Sequence, residues 1–244
     1  MTGKQTKTQT IKQERTFQRF VSGQRWEHAI LFVSIAVLLL TGLPQKYREY
    51  SWSQELLSTP ERLGFIQQIH HIAALFLAAE ALYHIGRAIV LMARRKLPGD
   101  MLPVGQDIRD LGHMLQYLFF MRKDKPKFRK FNFEQKVTYW FIAFAVALMG
   151  VTGFVIWFPE TITQFLPGSV VPASKMAHST EAVVTLIFIV VWHFYHVHLE
   201  RLNLSIFTGR LSETEMKKYH AKEYERLTGQ TVETVEEEKP GEEK

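Results

Sequence analysis

Four long apolar blocks divide this chain, and the charged residues lie almost entirely between them. The blocks run over residues 28–43, 65–92, 137–158 and 176–199. At about 1.5 Å per helical residue, the last three each cross a hydrocarbon layer roughly 30 Å thick. The first is shorter, and Trp26 and Tyr47 at its two ends are placed to serve as interfacial anchors. Helices that pack in water carry a polar face, yet LFVSIAVLLL and FIAFAVALMGVTGFVIWF have none. The pattern therefore predicts an all-α integral membrane four-helix bundle. Residues 1–26 read as an N-terminal arm, 27–200 as the membrane domain and 201–244 as a C-terminal tail. The arm is too polar and basic for a cleaved signal peptide. Residues 107–120, between the second and third spans, have helical spacing and predict a helix on the membrane surface. The terminal VEEEKPGEEK reads as a solvated tail.

Composition sharpens this picture. The mean hydropathy of −0.08 averages two different materials, lipid-soluble segments and charged connections. With no cysteine, the chain has no disulfide, thiolate-held cluster, c-type haem attachment or cysteine nucleophile. The two arms and the second connection hold 24 Lys and Arg, against 4 in the other two connections. Positive charge stays on the cytoplasmic side, so both termini are expected there, in the cell's inner membrane. The net charge of +6 then reflects topology and contact with anionic membrane lipids, with no sign of nucleic-acid binding.

The histidines carry the candidate chemistry, because an ionisable side chain inside a span is costly and needs a reason. His70 and His84 lie 14 residues apart in the second span, and His178 and His193 lie 15 apart in the fourth. At about 100° per residue, these steps return to within roughly 40° and 60° of the starting face. Each pair thus shares a face, with members about 21 Å apart along the axis. His71 falls toward the opposite face from His84 and reads as interfacial. The two spans run in the same direction, so His70 and His178 share the outer depth, and His84 and His193 the inner. Facing imidazoles at two depths are what two stacked b-type haems require, and iron with both axial positions filled passes electrons without activating oxygen. Ala73, Ala74, Ala78, Ala79, Ser179 and Ala182 are small enough to leave room for flat macrocycles. His28 also falls at the inner depth, which then has five candidate ligands: His28, His84, His193, His196 and His198. Those not used are left for structural roles, a quinone or proton site, or a third haem.

RWEH with a following Thr41–Gly42, IHHIAA, FNFEQKVTYW, VTGFVIWFP and HSTEA…WHFY together resemble the cytochrome b (gamma) subunit of membrane-bound formate dehydrogenase. The broader group includes hydrogenase and thiosulfate reductase cytochrome b subunits, and the similarity covers about residues 25–224. It implies haem iron ligands His28, His70, His178 and His193, paired as His70–His178 outside and His28–His193 inside. It also implies a quinone pocket beside the inner haem, using Asn132 and Gln135. Asn132 with Gln135 three residues later equally suits a helix N-cap and capping box. This chain departs from the family in its extra His84 and in a His178–His193 spacing of 15, where 14 is usual. Both features are also similar to the cytochrome b of quinol–cytochrome c oxidoreductases, which keeps His84 as the alternative inner ligand.

The resemblance thus implies a di-haem cytochrome b carrying electrons between an extracytoplasmic oxidoreductase partner and a quinone near the cytoplasmic face. The partner would be an iron–sulfur or multihaem cytochrome subunit, extracytoplasmic or membrane-anchored. The connections expected outside, near residues 44–64 and 159–175, are short, so this chain would supply only the quinone half-reaction of a respiratory complex. One alternative is quinol oxidation feeding a periplasmic multihaem cytochrome c; another is a non-haem proton carrier.

Overall fold

The computed structural model describes residues 14–124, 126–199 and 202–232, apart from the side chain of His198. The first thirteen residues of the arm and the acidic end of the tail lie outside the described residues.

Each apolar block falls in a long helix: α1 (Ser22–Lys46), α3 (Pro60–Ala93), α5 (Phe133–Trp157) and α7 (Val170–Ile187), the last continuing beyond Ile187. Short α2 (Ser51–Leu56) and α6 (Pro159–Ile162) lie in the first and third connections, and α4 (Gly105–Leu118) in the second. All four long helices are long and apolar enough to cross a membrane. Their extensions come from polar ends that hydropathy does not register. Thr59 accepts the Arg62 N–H and has Pro60 at the first helical position. Asn132 Oδ1 accepts the Gln135 N–H at 2.9 Å while Gln135 Oε1 accepts the Asn132 N–H at 3.2 Å, so the capping box is made.

The bundle is polar inward and apolar outward. Ser34, Thr41, Thr152 and Thr185 are buried, whereas Phe32, Leu40, Leu82, Phe144 and Val151 are each more than half exposed. Water would penalise such a surface, and hydrocarbon favours it. Small polar residues at helix contacts also let backbones approach closely, as in lipid. α1 packs on α3 and α5 on α7, giving two helix pairs.

Beyond Ile187 the fourth long helix continues as wide i→i+5 turns over Phe188–Leu199. A π segment of that length is uncommon, and such turns concentrate at functional sites.

At one end of the bundle the segments flanking it meet. Strand β1 (Thr16–Gln18) pairs antiparallel with β2 (Arg210–Ser212), with Phe17 opposite Leu211. Four spans bring both flanks to one side, and this sheet joins them. Helix α8 (Ser205–Thr208) precedes β2, and α9 (Glu213–Tyr219) and α10 (Ala221–Thr228) follow it. Phe17, Leu211, Met216 and Tyr224 form the small core of this cap. The connection before α5 is tied to the cap by His220 Nδ1–H, which donates to Arg129 C=O at 2.9 Å, and by Lys127, 3.2 Å from Glu225. Helix α4 is anchored by a buried ion pair, with Lys136 Nζ 2.9 Å from both oxygens of Asp107.

Candidate functional site

The four long helices, the second connection and the cap line an open cavity of about 4160 Å³. Ligand pockets are typically roughly 300–1,000 Å³, so this space suits more than one bulky group. It extends from Lys46, Gln67 and Lys175 at the uncapped end to Arg19, Asn132 and Phe207 near the cap. Of the small residues read from sequence, Ala74, Ala78, Ser179 and Ala182 line it, while Ala73 is buried away from it and Ala79 is exposed.

Two histidine pairs face each other across this space. His70 of α3 and His178 of α7 have ring centroids 6.4 Å apart, at 66°. His28 of α1 and His193 of the π segment are also 6.4 Å apart, at 38°. Two imidazoles bound to one metal at about 2.0–2.1 Å each would have ring centroids roughly 6 Å apart, so the residues of both pairs fit a shared haem iron. From Thr41, beside His70, back to His28 is 13 residues of α1, which places the two pairs about 20 Å apart.

The π turns explain how His193 reaches its partner. A continuous α-helix would leave it about 60° from the face of His178. From Phe188 onward, turns of about 4.4 residues reduce the offset to roughly 30°. The wider turns therefore absorb the additional residue between the two histidines.

The first pair has matching supports. Thr41 O–H donates to Val37 C=O at 2.7 Å, and its oxygen lies 2.8 Å from His70 Nδ1. Thr152 O–H donates to Leu148 C=O at 2.7 Å, and its oxygen lies 3.0 Å from His178 Nδ1. With each hydroxyl proton engaged by a helix carbonyl, each hydroxyl oxygen accepts from a ring N–H. Both imidazoles are thereby held with Nδ1 protonated and the Nε2 lone pair available to a metal. The next residue in each case is glycine. A Cβ on Gly42 would stand 3.2 Å from His70 Cε1, and one on Gly153 would stand 3.1 Å from His178 Cε1. The missing side chains are what allow the rings to lie against the neighbouring helix.

His84 is engaged differently. Its Nδ1–H donates to Glu27 Oε2 at 2.8 Å, and its Nε2 accepts from Tyr139 O–H at 3.0 Å. Arg87 pairs with Glu27 at 2.9 Å. Ligand atoms of Glu27, Glu80 and His84 lie within 4.8 Å of one another, but a cation there would meet the Arg87 guanidinium, and both His84 nitrogens are already in use. His196 packs edge-on against Trp192, with centroids 4.7 Å apart. His71 stacks on Trp157 at 4.1 Å. The His198 side chain lies outside the described residues.

Asn132 and Gln135 line the cavity near the cap. Gln135 Oε1 also accepts from Arg19 Nη2 at 3.3 Å, and Arg19 is buried against Phe20 and Phe131. Arg25 donates to Phe207 C=O, which holds α1 to the cap.

Sequence reasoning gave no role to Glu27, Tyr139 or the two threonines, although Thr41–Gly42 was among the quoted motifs. A signal was present for Glu27, an acidic residue at a span end, and for the threonines, a Thr–Gly step that recurs in LTGL and VTGF.

Comparison with known proteins bears on this arrangement. The model of a family described as prokaryotic cytochrome b561 matches residues 19–209. The cytochrome b556(Fdn) subunit of nitrate-inducible formate dehydrogenase from Escherichia coli K12 is 24% identical over 206 residues, covering 83% of this chain and 86% of that protein. The formate dehydrogenase cytochrome b556(fdo) subunit of the same organism is 21% identical over 237 residues, covering 93% of this chain and 100% of that one.

Proposed function

The chain belongs to the prokaryotic cytochrome b561 family, and from that premise we propose that it is a di-haem electron-transfer subunit of a respiratory complex, with a quinone site near the capped end of its bundle. Family membership implies b-type haem and an integral membrane protein. The observation that carries the finer reading is the repeated 6.4 Å spacing of two histidine pairs at two depths.

His70 and His178 would hold the outer haem iron, and His28 and His193 the inner. Bound there, b-type haem would supply one-electron transfer. Thr41 and Thr152 orient the outer ligands. Glu27 and Tyr139 keep His84 out of the ligand set, which favours His28 as the partner of His193. Lys46, 3.3 Å from Ser179 Oγ, places a positive charge beside His178 for an acidic haem substituent.

For the quinone, Asn132 and Gln135 are the proposed contacts. Gln135 commits its side-chain oxygen to Asn132 and Arg19, leaving its amide N–H groups as donors to a carbonyl. The basic flanks put this end in the cytoplasm, so protons entering quinol would come from that side. The relatives' formate dehydrogenase names extend here as a proposed role: an iron–sulfur partner docks at the opposite end and feeds electrons inward.

The test is a pyridine haemochrome assay on the purified chain. We expect two protohaems per polypeptide, with His70→Ala and His178→Ala each removing the same one. Absence of protohaem, or loss of different haems in the two variants, would refute the reading. Copurification with an iron–sulfur subunit supports the proposed direction, and copurification with a multihaem cytochrome c reverses it.

A further inference from the structure

The outer histidine pair is built twice from one device. In the α1–α3 pair, Thr41 and Gly42 sit against His70; in the α5–α7 pair, Thr152 and Gly153 sit against His178. The two halves agree in every measured detail: hydroxyl to carbonyl at 2.7 Å in both, hydroxyl to Nδ1 at 2.8 and 3.0 Å, and a virtual Cβ at 3.2 and 3.1 Å from Cε1. In both, the carbonyl belongs to the residue four before the threonine, so the helix itself fixes the hydroxyl rotor.

We propose that Thr41 and Thr152 are equivalent positioning residues that set the tautomer and electron-donating strength of the two outer ligands, and through them the reduction potential of the outer haem. This rests on the di-haem reading above. An acceptor on Nδ1–H makes the imidazole a stronger base at Nε2, which stabilises the ferric more than the ferrous state and lowers the potential. The hydroxyl is a suitable acceptor because its proton is tied to the backbone and cannot rotate to compete. The adjoining glycine brings the ring close enough for the bond to form. Because the two halves match, the two threonines contribute similar and separable effects.

The experiment is a spectroelectrochemical titration of the purified chain, with EPR of the ferric haems, on Thr41→Val, Thr152→Val, the double variant and the two Thr→Ser variants. Each valine removes the acceptor while keeping the shape. We expect the outer potential to rise by a similar amount in each single variant and about twice as far in the double. The outer EPR signal should move with it, and the inner signal should remain in place. Haem affinity at the outer site should fall about 10–100-fold. Both serines should restore wild-type values. Serines behaving like the valines would show that packing of the methyl group, not the hydroxyl, is what matters, and would overturn the proposal. So would valine variants that retain the wild-type potential and EPR signal. A wild-type chain with no protohaem would sink the underlying di-haem reading, a result distinct from either.

Discussion

Replacing His84 with alanine discriminates between two assignments of the inner ligands. His84 holds two hydrogen bonds, one from Nδ1 to the Glu27 carboxylate at 2.8 Å and one to Nε2 from Tyr139 at 3.0 Å. A bond to a charged group contributes about 1.5–3 kcal/mol and a neutral one about 0.5–1.5, so their loss destabilises the chain by roughly 2–4 kcal/mol. The cost stops there because Glu27 keeps Arg87 at 2.9 Å, leaving no buried charge without a partner. His84→Ala should therefore lower the melting temperature in detergent by several degrees yet retain two protohaems per chain. His28→Ala should retain one, with the loss confined to the inner haem. Glu27→Ala strips the partner from Arg87 and should cost more, about 3–5 kcal/mol. Haemochrome content per polypeptide, read beside a melting curve, is the assay. If His84→Ala lost a haem while His28→Ala kept both, the assignment of His28 would be refuted and His84 would take its place.

Two further outcomes follow from the same geometry. Gly153→Ala places a methyl 3.1 Å from His178 Cε1 and should cost about 1–3 kcal/mol by overpacking, displacing the ring; the melting curve and the outer haem spectrum report it together. In the cap, the Arg226 guanidinium hydrogen-bonded to Glu223 holds that carboxyl below its ordinary value of 4.5. A depressed carboxylate stabilises the fold above its unfolded value, and that contribution is lost as pH falls through the folded one. Protection of residues 205–232 from proteolysis should therefore be full at pH 6 and decline as pH falls below 4.5, and protection unchanged across the whole acid range would contradict the role given to this pair.

How much was legible differs from residue to residue. That His70 meets His178 was readable from numbering, since depth and face both follow from the helical repeat when no irregularity lies between the residues and the membrane's edge. Numbering placed His193 within about 60° of the face of His178, but the π turns beyond Ile187, which have no local signature, were not readable. Between His28 and His84 the family resemblance favoured His28, with His84 kept as the alternative. Both occupy the inner depth, and what numbering does not carry is that Glu27 on α1 and Tyr139 on α5 engage both nitrogens of His84. The sheet joining the flanks was invisible for another reason. Three-residue strands nearly 200 positions apart carry no detectable alternation.

The distribution of apolar residues along the chain thus gave the four helices that, among the described residues, are long and apolar enough to cross a bilayer, because the preference of an apolar segment for hydrocarbon belongs to that segment, whatever its neighbours do. Which imidazole is occupied by carboxylate and phenol, and where threonine meets a ring, depend on helix rotation and contact between segments distant in the chain. Hydrogen bonds act over about 3 Å, so only the assembled bundle could decide them.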